Sequence, residues 1–242
     1  MNTIDYLRRG VVRRYRKLLD FRAKKIIQKN DELWSILSSY ISKTGSTGCS
    51  YIDYWELYSF IREKKPSEVL ECSTGVSTIV MACAMMINEK ENGVIGRITS
   101  MEESPKYYDL ACQLLPVCLT KYVEIILSPK VEAYYCLFRG MKYGNVPDRE
   151  YDFVFIDGPT TKTLSDGQKT FDFDFIDILA KSKKPISAIV DGRLSTCYVL
   201  NKILKRGKFR YDNVRSMGYV NSCTKSDMKT TNDFVNTYKD LK

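Results

Sequence analysis

Histidine is absent from all 242 residues. That removes the commonest general base and the commonest zinc ligand together, and excludes every catalytic triad built on His. No Cys-x-x-Cys pair occurs among the eight cysteines, and no secretory apolar segment precedes the body. The cysteines are therefore read as reduced core thiols of a cytoplasmic protein. Long hydrophobic runs are also missing. The longest uncharged stretch, Cys72 to Asn88, opens with the turn-like Ser-Thr-Gly and is too short to span a bilayer.

Acidic residues are scarce in one region only. Residues 1–30 hold ten Lys/Arg against Asp5 and Asp20, so of the net charge of +9 the tail carries +8 and the remaining chain +1. A nearly neutral body disfavours nucleic acid as a partner, because a nucleic-acid-binding domain spreads positive charge over a folded face. Within the tail, Ile4, Leu7, Val11, Leu18 and Phe21 recur at helical spacing among the cations, which predicts a basic amphipathic helix from Ile4 to about Ile27. Such a helix is either a solvated flank, a contact for an anionic membrane or acidic partner, or a packing face for the body or a second subunit. Asp31 is expected to cap a second helix through Trp34, Leu37 and Tyr40. The loop Lys43–Gly48 then separates an extension, residues 1–48, from a body, residues 49–242.

In the body, short apolar strands alternate with helical stretches. A helix is expected over Tyr51–Lys64. Strands are expected at Glu68–Cys72, Arg97–Met101, Val123–Leu127, Tyr151–Ile156 and Ile186–Val190. Helices between them are placed at Ser77–Asn88, Pro105–Leu115, Val131–Phe138 and Phe173–Lys181, and a further one at Val199–Arg206. Tyr211–Met217 and Asp233–Tyr238 would add a last pair of strands. Right-handed crossovers turn this order into an α/β fold: a doubly wound, Rossmann-like, mostly parallel sheet with helices on both faces.

Ligands of such sheets bind beyond the carboxyl ends of the strands. After the first strand stands Glu71-Cys72-Ser73-Thr74-Gly75-Val76-Ser77, an acid followed by small residues and a helix entrance with unpaired N–H groups. After the second stands Glu102, placed to accept hydrogen bonds from both hydroxyls of a ribose. A pyrophosphate loop needs G-x-G-x-x-G, of which only Gly75 is present, and Glu71 at the loop entrance would repel phosphate. An acid there suits a ligand with an ammonium group, a ribose and no phosphate, as in S-adenosylmethionine.

The run Val69 to Thr78, followed by Ile98 to Glu102 and by Tyr151-Asp-Phe-Val-Phe-Ile-Asp157-Gly158-Pro159, resembles the class I S-adenosylmethionine-dependent methyltransferases, in particular their small-molecule and sugar O-methyltransferase branches. The resemblance extends from about Tyr51 to Met217 and leaves out the basic tail. It implies that Glu71, Cys72, Ser73, Thr74, Gly75 and Ser77 surround the methionine moiety, that Glu102 holds the ribose, that adenine lies near Ser128, and that Asp157 lies at the methionyl group or the reacting centre. The family usually has glycine where Ser73 stands.

In the catechol-type branch, acids at positions matching Asp157 and Asp191 hold magnesium. Here Gly192 and Arg193 follow, where that branch has a further oxygen ligand, so no metal is expected. With no His, the base for a hydroxyl acceptor is sought among Asp157, Asp191 and Lys162. The polar segment Thr160–Phe171 is a candidate acceptor-facing lid, and Arg193 a candidate for an acidic acceptor. The reading is an O-methyltransferase of a small molecule or glycan, cytoplasmic, with the tail open to peripheral membrane contact. The alternatives are a protein or RNA methyltransferase and a catalytically silent Rossmann-like module.

Overall fold

The structure is a computed structural model that describes residues 3–44 and 50–239, with side chains for 10–44 and 50–235. The loop expected at 43–48 falls largely outside the described residues, as do the side chains of Ile4 and Leu7. Three helices open the chain: α1 (Thr3–Gln28), α2 (Asp31–Thr44) and α3 (Tyr51–Lys64). The body continues as β1 (Glu68–Cys72), α4 (Val76–Asn92), β2 (Arg97–Glu102), α5 (Pro105–Leu114), β3 (Val123–Leu127), β4 (Lys130–Tyr135), β5 (Phe138–Tyr143), β6 (Phe153–Ile156), α6 (Asp174–Lys181), β7 (Ile186–Asp191), α7 (Leu194–Ile203), β8 (Phe209–Asp212), β9 (Met217–Cys223) and α8 (Thr231–Lys239).

Seven strands form one sheet in the order β3-β2-β1-β6-β7-β9-β8. The first five run parallel, and β9 pairs antiparallel with both β7 and β8. Winding reverses between β1 and β6, so the switch point lies beyond Cys72 and Ile156. Alternation along the strands sorts side chains to two faces. Val69, Phe153, Phe155 and Ile189 join one core cluster with α3 and α4, whereas Leu70, Cys72, Val154, Ile156 and Val190 join another with α6 and α7. Glu71 shares the parity of Val69, which aims it at the α4 side.

The basic extension is packed against the body. Ala23 and Ile27 of α1 and Leu33, Leu37 and Tyr40 of α2 are buried. Asp20 Oδ1 accepts the Ile52 N–H at 3.1 Å, so α1 satisfies a donor in the first turn of α3. The cap of α2 is Asn30, not Asp31: its Oδ1 accepts the Leu33 N–H at 3.0 Å.

Several sequence expectations are corrected. The stretch Val131–Phe138 is no helix. It forms β4 and the start of β5, antiparallel and paired from Lys130↔Tyr143 to Tyr135↔Phe138. Tyr211–Met217 is interrupted by a turn in which Asp212 Oδ1 accepts the N–H groups of Val214 and Arg215, which splits it into β8 and β9. Asp233–Tyr238 lies in α8, whose start is fixed by Asp233 Oδ2 accepting the Thr230 N–H and hydroxyl. The helix expected at Val199–Arg206 begins earlier, at Leu194. Of the described cysteines, all free, Cys72, Cys83, Cys197 and Cys223 are core thiols while Cys112 and Cys118 are exposed.

Candidate functional site

The turn between β1 and α4 is held from below. Ser73 N–H donates to the Met101 carbonyl at 3.0 Å, and Asp157 N–H donates to the Cys72 carbonyl at 3.1 Å, tying the ends of three adjacent strands together. Ser73 sits at φ +98°, a conformation that glycine adopts without cost and a side chain does not. The matching glycine of the resembling family is therefore absent where the backbone still takes a glycine-like shape.

Glu71 is fully buried, and its carboxylate is occupied. It accepts hydrogen bonds from Ser77 Oγ (2.5 Å), Thr78 Oγ1 (2.6 Å) and Ser100 Oγ (2.8 Å). Burial pushes its pKa up to about 7, against the three hydroxyls. The Ser77 hydroxyl is thus directed at Glu71, and the Cys72 thiol lies in the opposite core cluster. Within this sequence motif, Ser73, Thr74 and Gly75 are the residues left to face outward from the turn. A side chain added at Gly75 would meet open space.

Glu102 is 6 % exposed at the carboxyl end of β2. Its Oε1 accepts the Ser104 N–H at 2.9 Å. Burial raises its pKa, while backbone N–H groups of Ser104, Glu103 and Thr74 favour the carboxylate. The structure thus brings Glu102 to the Thr74 turn. Ser128 is buried one strand further: its N–H donates to the Glu102 carbonyl at 2.8 Å, and its hydroxyl accepts the Asn145 N–H at 3.0 Å.

Asp157, at the end of β6, is half-buried. Burial lifts its pKa to about 7; Arg193 opposes that shift and Asp191 adds to it. Arg193 Nε donates to Asp157 Oδ1 at 3.2 Å, and its Nη1 to the Pro159 carbonyl at 2.9 Å and to Asp172 Oδ1 at 2.8 Å; Nη2 donates to the Asp157 carbonyl. Asp172 is fully buried and also accepts Thr196 Oγ1 at 2.5 Å. Arg193 is therefore a fixed internal cation that joins the β6 and β7 loops.

Three residues escaped sequence reasoning. Asp53 of α3 is 1 % exposed, leaves Oδ1 without a partner, and is pushed up to about 6 by burial and by neighbouring Asp191, against Ser50 and Arg16. Tyr40 of α2 lies close enough to feel the Glu71 charge. Tyr143 of β5 places its hydroxyl against Gly158, where an added Cβ would stand 2.8 Å from it. Asp53 and Tyr40 are hidden among the apolar residues of α3 and α2, and Tyr143 lies on a strand that the sequence does not announce. The only sequence signal was Ser50-x-x-Asp53, a capping box whose second oxygen is left over.

Beyond the ends of β6 and β7 opens a cleft of about 890 Å³ lined by Lys130, Thr160, Thr161, Lys162, Lys169, Gly192, Arg193, Leu194 and Ser195. The segment expected to be a lid supplies four of these.

No protein-family model matches the chain, and no curated protein matches it in sequence. Its sheet is a doubly wound, Rossmann-like, mostly parallel one in the order β3-β2-β1-β6-β7-β9-β8. Among solved structures, the chain is similar to a candidate caffeoyl-CoA O-methyltransferase of Staphylococcus aureus, with 19% identity over 82% of each chain and a TM-score of 0.49. It is similar also to a methyltransferase of Geobacter sulfurreducens, with 15% identity over 78% of this chain and 87% of that one and a TM-score of 0.46. A methyltransferase of Podospora anserina bound to S-adenosylhomocysteine shows 16% identity over 71% of this chain and 68% of that one, with a TM-score of 0.43.

Proposed function

We propose that the chain is an S-adenosylmethionine-dependent methyltransferase acting on a hydroxyl of a small molecule or glycan, with residues 49–242 as the methyltransferase domain and 1–48 as an extension packed on it. Glu102 carries this reading. It is a buried strand-end carboxylate one strand from the switch point, drawn to the Thr74 turn and the entrance of α4. Two ribose hydroxyls are the complementary donors. The turn lacks the further glycines that a pyrophosphate needs, and the Glu102 carboxylate beside it suits a ligand that brings hydroxyl donors and no phosphate.

S-adenosylmethionine, when bound, supplies a methyl group for in-line transfer. The residues provide alignment and a proton acceptor. Glu71 shapes the Ser73–Gly75 turn from beneath, Glu102 fixes the ribose, and Ser128 orders the chain where adenine would lie. Asp157 stands between the turn and the cleft. With its pKa near 7, it takes a proton from an acceptor hydroxyl at neutral pH. The residues do not fit magnesium: Gly192 offers no side-chain oxygen, and the Arg193 guanidinium, 3.2 Å from Asp157 Oδ1, holds a positive charge where a metal would need the carboxylate.

Calorimetry with S-adenosylhomocysteine and with NAD tests the assignment. S-adenosylhomocysteine binds and NAD does not, and Glu102→Ala weakens binding roughly tenfold or more by removing charge-assisted hydrogen bonds. A loss under about threefold removes Glu102 from the ribose. NAD binding without a response to S-adenosylhomocysteine overturns the cofactor. Turnover, unaffected by EDTA, separates an enzyme from a silent module.

A further inference from the structure

The cleft beyond β6 and β7 has an unusual wall. Four cations line it, Lys130, Lys162, Lys169 and Arg193, together with the hydroxyl residues Thr160, Thr161 and Ser195, and no carboxylate is among its lining residues. Two of the cations are neutralised locally. Lys130 pairs with Glu103 at 3.6 Å, and Arg193 with Asp157 and Asp172. Lys162 and Lys169 have no carboxylate partner among the described residues, and both are exposed.

These two lysines stand directly opposite each other across an antiparallel bridge. Cross-strand partners project to the same face of a ribbon with Cβ atoms about 5 Å apart, an arrangement that is unfavourable for like charges. The ribbon is nevertheless closed by Thr163 N–H to the Gln168 carbonyl (3.0 Å) and Thr170 N–H to the Thr161 carbonyl (2.8 Å). Its tip is clamped to the hairpin of β4 and β5. Glu132 accepts the N–H groups of Leu164 (2.8 Å) and Ser165 (2.9 Å), and Arg139 grips Asp166 through both terminal nitrogens (2.9 and 3.0 Å). The fold thus holds two unneutralised ammonium groups side by side over the cleft.

We infer that this ribbon binds a doubly charged phosphate or diphosphate group of the methyl acceptor, with Lys162 and Lys169 on either side of it. The inference rests on the methyltransferase reading for the word acceptor, but the anion site stands on its own geometry. A group of charge −2 between the lysines removes their repulsion and receives charge-assisted hydrogen bonds. The cleft volume is that of a small-molecule site, which places the phosphate on a compact acceptor.

Full-length protein saturated with S-adenosylhomocysteine is titrated with inorganic pyrophosphate, glucose 6-phosphate and glucose. Pyrophosphate and glucose 6-phosphate bind and glucose does not; the stronger of the two tells diphosphate from monoester. Lys162→Gln/Lys169→Gln lowers pyrophosphate affinity at least tenfold and flattens its salt dependence, while the affinity for S-adenosylhomocysteine is unchanged. Arg13→Gln/Arg14→Gln on α1 has no effect on pyrophosphate. Absence of pyrophosphate binding, equal affinity in the lysine variant, or an equal loss in the α1 variant overturns the proposal, the last by showing diffuse attraction to the basic helix. If S-adenosylhomocysteine fails to bind while lysine-dependent pyrophosphate binding persists, the cofactor reading falls and the anion site remains.

Discussion

At the scale of single residues, a strained turn and two buried acids carry costs that can be measured. Ser73 holds φ +98° at the centre of the turn. A non-glycine residue in a sparsely populated region costs roughly 1–3 kcal/mol, and glycine gives back about 0.5–1 kcal/mol through the entropy of the unfolded chain. Ser73→Gly should therefore stabilise the protein by roughly 1 kcal/mol in denaturant titrations, and its affinity for S-adenosylhomocysteine should not fall. A destabilised variant would mean that the Ser73 side chain makes up for its own strain. The second cost is buried charge. Burial lifts Glu71 from 4.5 to about 7 and Asp53 from 3.8 to about 6. In the unfolded chain these groups lose their protons near pH 4, whereas the folded protein keeps them until pH 6–7. Across that interval the unfolded state binds fewer protons, so stability falls as pH rises. Carboxylates with lowered pKa, such as Asp152, Asp177 and Asp212, act in the opposite sense below the interval. The protein should thus be more stable at pH 5 than at pH 8, by an amount on the order of 2 kcal/mol, which a higher melting temperature at pH 5 would register. Glu71→Gln should flatten the profile; an unchanged slope would show that Glu71 is not its source.

At the scale of elements, the opening helices are built into the core on the α3 and α4 side of the sheet. Removing residues 1–30 takes away buried Ala23 and Ile27, the Asp20 carboxylate on Ile52, and Asn30, which caps α2 and donates to Tyr58 at 3.0 Å. One large apolar side chain and one cap together amount to roughly 3–5 kcal/mol. The truncated chain should therefore melt far lower than the full chain. A truncation at 30 that melts like the full chain would show that α1 is not needed by the core. The strands bordering the site were legible in the sequence because parallel strands buried on both faces read as uninterrupted apolar runs, as in Phe153–Ile156. The β4–β5 hairpin was not. Val131, Tyr134, Tyr135 and Phe138 fall at helical spacing, and the connecting Cys136-Leu137, with Cys136 at φ +51°, lacks the Asn-Gly or Asp-Gly signal of a two-residue turn. The α8 helix was missed because its Thr230/Asp233 cap was overlooked in favour of the β-branched and aromatic residues that follow. In the site, the acids at strand ends could be placed from sequence alone. Asp53 and Tyr143 could not, since they come to Asp191 and Gly158 from elements whose packing only the tertiary structure fixes.

At the scale of the whole molecule, charge and apolar surface separate in the same direction. The tail carries +8 of the net +9. α1 also has two apolar stripes: Ala23 and Ile27 face the core, while Val11, Tyr15 and Leu18, spaced four and three residues apart, remain 66%, 48% and 44% exposed, with Phe21 at 54%. No helix among the described residues is long and apolar enough to cross a membrane. An exposed apolar stripe set among Arg13, Arg14, Lys17 and Arg22 has the chemistry of an interfacial helix, and each cation near an anionic surface contributes about 1 kcal/mol, weakened by salt. We propose that this face makes peripheral contact with anionic membranes. Full-length protein should sediment with phosphatidylserine vesicles at low salt, stay in solution with neutral phosphatidylcholine vesicles, and be released by about 0.5 M salt, where the screening length falls to a few ångströms. Because truncation disturbs the core, the discriminating variant replaces Arg13, Arg14, Lys17 and Arg22 by Gln on the exposed side. It should melt like the parent and lose most of its sedimentation. Retained sedimentation would assign the binding to another surface, and a concentration-dependent dimer that dissociates on replacing Val11 and Leu18 by Ser, with no vesicle binding, would make the stripe a contact between two copies of the chain.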